Sequence, residues 1–223
     1  MYRDLKISVV IPCYNEEEGV AHVMRSLPES VDEVVVVDNN STDKTAEVAA
    51  SLGARVVPEK KKGYGAAYKA GLPVVTGDIT VTLDGDGTYP SEQIEEVVDY
   101  LVDKDLDFVS ASRFPLQNPE AMTFSSKVGN MILTVAMLVL YGKDIKDSQS
   151  GMWIYRSKVY PMMKLTSDGM PFSEEIKIEA IRVKSIRFGE YHVNYHQRIG
   201  EVKLEKWRDG FKNLWFLVKK RFQ

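Results

Sequence analysis

The sequence predicts an α/β protein built on a doubly wound, mostly parallel sheet. Three observations carry that expectation. Short β-branched runs alternate with helical runs through the first half of the chain. One of them, Glu33-Val34-Val35-Val36-Val37-Asp38, has the unbroken apolar centre of a strand covered on both faces. Polar side chains gather just beyond these runs: Asn15 and Glu16, then Asp38, then Asp84 and Asp86. In such sheets ligands bind beyond the carboxyl ends of the strands.

The elements follow in order. Ile7–Ile11 is a strand that Pro12 is expected to stop, and a helix follows over about Glu16–Leu27. The second strand is Glu33–Asp38, and Ser41 or Thr42 is placed to cap a helix reaching Leu52. Arg55–Val57 makes a short third strand. A glycine-rich turn at Gly63-Tyr64-Gly65 opens a helix ending near Thr76. Ile79–Leu83 runs into Asp84, a helix spans about Ser91–Val102, and Phe108–Ala111 closes the first half. Beyond Arg113 the expected elements are an apolar helix over Ser125–Tyr141 and a turn with a strand over Asp147–Tyr155. A helix over Ser173–Lys184, short strands at Arg187-Phe188 and Tyr191–Tyr195, and a terminal helix complete the chain.

With 223 residues, 44% hydrophobic and 27% charged, the composition is that of a globular chain able to bury a sizeable core. The lone cysteine, Cys13, excludes an intramolecular disulfide and suits a reducing compartment. Met1–Lys6 lacks the order of a signal peptide. The longest nearly apolar stretch, 131–141, falls short of the roughly 20 residues of a membrane span. The net charge of -3 hides an asymmetry: residues 202–223 carry +5, leaving -8 on the body. A basic tail on an acidic body asks for an anionic partner.

Two motifs bear chemistry. Asp84-Gly85-Asp86 places two carboxylates, one small residue apart, at a strand end. Such hard oxygen ligands suit Mg²⁺ or Mn²⁺ shared with substrate phosphates, with Thr88 as a further oxygen. Asp-Gly is also a common turn, but the α/β setting favours the metal. Lys60-Lys61-Lys62-Gly63-Tyr64-Gly65 meets a helix start and suits either a phosphate or a solvated charge run.

Val10–Glu16, Val37–Thr45, Gly63–Ala67 and Asp84–Asp86, in that order, resemble the family-2 inverting glycosyltransferases of GT-A fold. Ser112-Arg113, Asp147–Gly151 and Arg198–Leu204 narrow the resemblance to the polyprenyl-phosphate (dolichyl-phosphate) sugar synthases. The resemblance implies that Pro12, Tyr14, Glu16, Asp38, Lys62, Gly63 and Asp84 line the nucleotide pocket. Asp84, Asp86 and Thr88 would hold the metal, and Asp147, Gln149 and Ser150 would sit by the sugar. Arg113, Ser126, Arg198 and Lys203 would hold donor or acceptor phosphates, with Asp86, Arg113, Arg198 and Lys203 closest to the chemistry. Two positions depart from the family pattern: Asn39 stands where a second Asp is common, and Val202 where a Ser is common.

The implied reaction moves a hexose, mannose or glucose first, from a nucleotide-sugar to a polyprenyl or dolichyl phosphate. A phosphate acceptor is already ionised and needs positioning more than a general base. Glu174 and Glu175 are the candidate bases for an alcohol acceptor, or else structural. The alternatives are a soluble glycan or protein acceptor, a nucleotidyltransferase, or a catalytically silent lipid-surface module. No nucleic acid is expected. The expected organisation is a transferase domain over 1–206, with a donor half of about 1–112 and an acceptor half of about 113–206, and an interfacial helix over 207–223. In that helix Trp207, Phe211, Leu214, Trp215, Val218 and Phe222 share one arc, with Arg208, Lys212, Lys219, Lys220 and Arg221 on its flanks. Such a helix lies in an anionic lipid surface or docks on its own domain. Residues 128–141 either dip into the same interface or form a core helix. The expected location is peripheral, at the cytoplasmic face of a membrane.

Overall fold

The β-branched runs become the centre of a seven-stranded sheet. The computed structural model describes residues 1–201 and 206–222. Its strands are β1 (Ile7–Cys13), β2 (Val31–Asp38), β3 (Arg55–Pro58), β4 (Ile79–Thr82), β5 (Phe108–Ser112), β6 (Trp153–Arg156) and β7 (Phe188–His192). Their order is β3-β2-β1-β4-β6-β5-β7. All pairings are parallel except those of β6, which runs antiparallel between β4 and β5. The helices are α1 (Glu17–Ser26), α2 (Thr45–Ser51), α3 (Tyr64–Gly71), α4 (Ile94–Asp103), α5 (Phe124–Tyr141), α6 (Phe172–Arg182) and α7 (Lys206–Arg221). Apolar residues on the two faces of the sheet build two separate cores, one under α1, α2 and α4 and one under α3 and α6.

Several boundaries differ from expectation for physical reasons. β1 does not stop at Pro12. Its pairing with β4 ends at Val10, while Cys13 still pairs with Asp38 on β2. Leu83 donates to Val10, so two residues on, the missing N–H of Pro12 falls on the side where β1 has no partner. Neither Ser41 nor Thr42 caps α2. The Ser41 hydroxyl accepts from the Asn15 N–H, and the Thr42 N–H donates to Asn15 Oδ1. Asp43 takes the capping part, accepting from the Thr45 N–H at 3.0 Å. α3 ends at Gly71 and passes into a 3-10 turn over Leu72–Val74, which contains Pro73. The two strands expected near 187–195 are the single strand β7.

α5 extends beyond the uninterrupted apolar run at 131–141. Its 18 residues span about 27 Å. Its mean hydropathy of 1.4 makes it long and apolar enough, by length and composition, to cross a membrane. Only Asn130, Leu133 and Met137 of this helix are buried. Leu133 and Met137 meet Ile145, Ile178 and Leu217 in a third, small core shared with α6 and α7.

Candidate active site

The carboxyl ends of β1, β2 and β4 deliver the acidic residues. Glu16 follows β1, Asp38 ends β2, and Asp84 and Asp86 follow β4. Gly85 is required for this approach: a Cβ there would stand 2.5 Å from Cys13 Sγ. Asp84 is half-buried and accepts from the Tyr64 hydroxyl at 3.0 Å. Burial, then the neighbouring charge of Asp86, pushes its carboxyl up to about 7 against the pull of Tyr64, Arg113 and Arg198. Two carboxylates forced together in this way call for a cation.

Asp86 is buried, with both oxygens engaged. Oδ1 accepts from the Thr88 N–H at 3.0 Å and the Thr88 hydroxyl at 2.7 Å. Oδ2 accepts from Arg198 Nη1 at 2.5 Å, and Arg198 Nη2 pairs with Glu16 Oε1. Arg198 therefore fastens the 193–201 segment across the ends of β1 and β4, and the Ile199 N–H bonds the Asp86 carbonyl at 2.9 Å. Thr88, expected as a metal oxygen, donates its hydroxyl hydrogen to Asp86 and so orients that carboxylate. Among the described residues there is no group of three or more His, Cys, Asp or Glu able to hold a metal. The Asp84–Asp86 pair still fits a divalent cation that completes its shell with substrate oxygens, as Mg²⁺ commonly does. Lys203 lies outside the described residues.

The nucleotide-side residues sit around the first two strands. Tyr14 lies under Lys62, whose Nζ is 2.8 Å from the phenol oxygen and 4.3 Å from the ring centroid. Asp38 Oδ1 accepts from the Ser41 N–H at 3.2 Å. Pro12 is the penultimate residue of β1, opposite Val37 on β2. Asn39 explains its departure from the family pattern. Its Nδ2 donates to the Glu59 and Lys61 carbonyls at 3.1 and 2.8 Å, and its Oδ1 accepts from the Gly63 N–H at 2.8 Å. An Asp could not donate to those carbonyls.

At the Lys60–Gly65 turn, part of the donor set is already engaged within the fold. The Ala66 N–H at the start of α3 donates to the Asp168 carbonyl at 3.0 Å, and Lys61 pairs with the Asp168 carboxylate. A Cβ on Gly63 or Gly65 would lie 2.2 Å from the Asp168 carbonyl or 2.3 Å from the Ser167 carbonyl. The helix start is thus sealed by the 166–168 segment.

The other wall is the 147–151 loop. Asp147 is fully buried and accepts from Arg113 Nε at 2.7 Å, Arg113 Nη2 at 2.8 Å, the Arg113 N–H at 3.0 Å and Asn130 Nδ2 at 2.7 Å. Burial alone would raise its carboxyl. The Arg113 charge and bonds, the Lys177 charge and Asn130 override burial and hold it well below the usual range. Lys177, also fully buried, donates to the carbonyls of Asp147, Ser148 and Ser150 at 3.2, 2.7 and 2.8 Å. Burial pulls its pKa down to about 7, opposed by the Asp147 charge.

At the far end of the loop, Gly151 meets Asp84. Its N–H donates to the Tyr89 hydroxyl at 2.6 Å, and a Cβ on it would lie 3.2 Å from Asp84 Oδ2. Asp147 and Gln149, expected at the sugar, are instead held inward. Both Nε2 hydrogens of Gln149 have acceptors, Glu174 Oε1 at 2.6 Å and Ser148 Oγ at 3.2 Å. Ser150 is buried, and its carbonyl takes the Trp153 Nε1–H as well as Lys177. The loop reaches the Asp84 carboxylate through its Gly151 end, while Asp147 and Gln149 fix its position. Arg113 is committed to Asp147 and stacks 5.2 Å from the Tyr195 ring. Ser126 lies in the first turn of α5, its hydroxyl 2.8 Å from the capping Thr123. Glu174 and Glu175 are fully buried and structural: Glu175 accepts from Thr166, Ser167 and Lys220.

The sequence pattern did not single out Asn130, Lys177, Tyr64, Tyr89 or Asn213. Lys177 sits in Glu174-Glu175-Ile176-Lys177, a charged run that reads as a solvated face, and only its complete burial marks it.

Comparison with known proteins agrees with this geometry. The model of the family described as "Glycosyl transferase family 2" matches residues 8–161. The Haloferax volcanii low-salt glycan biosynthesis hexosyltransferase Agl6 is 34% identical over 95% of this chain, which spans 53% of Agl6. A dolichyl-phosphate hexose transferase from the same organism is 31% identical over 92% of this chain and 89% of its own length. The chain therefore spans about half the length of one curated relative and most of another. Among solved structures, glucosyl-3-phosphoglycerate synthase from Mycobacterium tuberculosis, in complex with Mn²⁺, uridine diphosphate and phosphoglyceric acid, superposes with a TM-score of 0.78. That match covers 98% of this chain and 78% of the synthase at 19% identity, and it speaks for the fold. The seven-stranded, mostly parallel sheet is the GT-A-like fold, the carboxylate pair stands at its β4 end, and the chain belongs to glycosyltransferase family 2.

Proposed function

We propose that the protein transfers a hexose, with inversion, from a nucleotide-sugar of GDP-mannose or UDP-glucose type to a polyprenyl or dolichyl phosphate. The reaction takes place at the cytoplasmic face of a membrane, to which the protein binds peripherally. A divalent cation at Asp84 and Asp86, Mg²⁺ or Mn²⁺, supplies Lewis-acid compensation for the charge growing on the leaving diphosphate. The rest falls to side chains of the chain itself. Tyr64 and Thr88 orient the two carboxylates, and Arg198, already bridging Asp86 and Glu16, places a guanidinium beside the same charge. Asp147 and Lys177 keep the 147–151 loop against Asp84.

The observation that carries the lipid acceptor is the outward face of α5 and α7. α7 turns Asn213, Leu217 and Lys220 inward, and leaves Phe211, Trp215, Val218 and Phe222 exposed. Alongside, α5 exposes Phe124, Met131, Ile132, Val135, Leu138 and Val139. A contiguous apolar surface of this kind marks an interaction site. Arg208, Lys212, Lys219 and Arg221 supply the positive charge that an anionic lipid surface attracts. Lys220, expected on a flank, is instead buried against Glu175 and Glu179 at 2.9 and 3.0 Å. α7 is thus docked by one face and apolar on the other, which joins the two expectations for this helix.

The test offers labelled GDP- and UDP-sugars with polyprenyl phosphate and a divalent cation, followed by extraction into organic solvent. Label in the organic phase is expected for one donor. Label confined to water for every donor would refute the lipid acceptor.

A further inference from the structure

A partly buried hydrogen-bond chain joins α7 to the loop beside Asp84. Asn213 Nδ2 donates to Gln149 Oε1 at 2.8 Å, and Gln149 Nε2 donates to Glu174 Oε1 at 2.6 Å. Asn213 is 4% exposed and Glu174 fully buried. The chain has a direction. Glu174 and Ser148 take the two Gln149 donors, so the Gln149 carbonyl must face the Asn213 amide. The same loop is held by Arg113 and Asn130 on Asp147 and by Lys177 on three carbonyls, and it ends at Gly151 against the Asp84 carboxylate. Asn213 is the one of these ties that comes from α7, whose opposite face is the exposed apolar one.

We propose that Asn213 is a positioning residue for the donor-sugar subsite, acting through the Gln149 carboxamide on the 147–151 loop. Without the Asn213 donor, the half-buried Gln149 carbonyl loses its partner from α7, and the amide is no longer fixed in one orientation. The loop can then shift against Asp84, where a sugar linked to a metal-bound diphosphate would lie. α7 thereby serves two ends: its outer face meets the surface and its inner face braces the donor loop. The inference rests on the reading of the protein as a nucleotide-sugar transferase.

The experiment is calorimetric titration with Mn²⁺ present, comparing a nucleoside diphosphate with its sugar: GDP against GDP-mannose, and UDP against UDP-glucose. Asn213→Leu should weaken nucleotide-sugar binding about tenfold while leaving the bare nucleoside diphosphate unchanged. Gln149→Leu should do the same, and the double variant should be no worse than Gln149→Leu alone, because the two residues act as one unit. If Asn213→Leu fails to fold by circular dichroism, Asn213→Ala is read by the same outcomes. A folded variant that keeps the full affinity gain from the sugar, or losses that add in the double variant, would overturn the proposal. Equal weakening of both ligands would also overturn it, since that marks general damage. A wild-type protein that gains no affinity from either sugar would instead overturn the donor reading on which the proposal stands.

Discussion

Asp84 and Asp147 are the same residue type, both next to the same loop, and their electrostatic situations are opposite. Asp147 has no exposure, yet Arg113 and the nearby Lys177 match its charge within the folded chain and Asn130 donates to it. Asp84 is more open, accepts from one phenol, and shares its neighbourhood with a second carboxylate. The difference separates a carboxylate whose charge the fold balances from one whose charge it balances only in part. Where the fold supplies the counter-charges, the group holds architecture together. Where it supplies them only in part, burial and a like charge raise the group's pKa. Chemistry named from sequence alone put both at the ligand; the geometry makes Asp147 the anchor of the loop and leaves Asp84 half-buried beside Asp86.

The largest effect should come from breaking the anchor. Asp147→Ala leaves the buried Arg113 and Lys177 cations without their counter-charge and should cost about 3–5 kcal/mol in denaturant unfolding. A loss below 1 kcal/mol would erase the contrast. Asn39→Asp should come next, at about 2–3 kcal/mol, because two carbonyls lose their donor and face a carboxylate. A thermal melt matching the wild type would show that the 59–63 turn does not depend on that amide.

Glu174 provides a pH test on the anchored side. Burial pushes its carboxyl up to about 8 from 4.5, with the Gln149 bond opposing. The folded protein then holds a proton that the unfolded chain releases, so stability falls as pH rises across that window. Glu174→Gln should flatten that fall when unfolding is measured at its two ends. Parallel profiles would remove Glu174 from the account. Asp84→Asn should act in the other direction from Asp147→Ala. It relieves a like-charge pair and should leave stability unchanged or raise it by up to about 1 kcal/mol. The smallest effect on folding belongs to Trp215→Ser on the outer face of α7, within about 0.5 kcal/mol. The same change should lower binding to anionic vesicles in a sedimentation assay, and unchanged binding would detach that face from the membrane.

What was legible in the sequence follows the same division. The first four strands, and the polar residues at their ends, are local features. Pattern and motif order were enough to place Glu16, Asp38, Asp84 and Asp86 on one edge of the sheet. The braces of the 147–151 loop are not local. Lys177 reaches it across about thirty residues and Asn213 across 64. Their helices gave no periodic sign of it, because α6 is buried from Phe172 to Ala180 with four charged residues inside. The antiparallel insertion of β6 between β4 and β5 was equally unreadable, since alternation of elements carries no strand order. α7 was half legible: its apolar arc was visible, but an arc does not say which way it faces.

The most direct test of the carboxylate pair is a Mn²⁺ titration followed by electron paramagnetic resonance, with a nucleoside diphosphate present. The wild type should bind one Mn²⁺, and Asp86→Ala, still folded, should lose that binding together with metal-stimulated transfer. Undiminished Mn²⁺ binding by folded Asp86→Ala would contradict the assignment of the site.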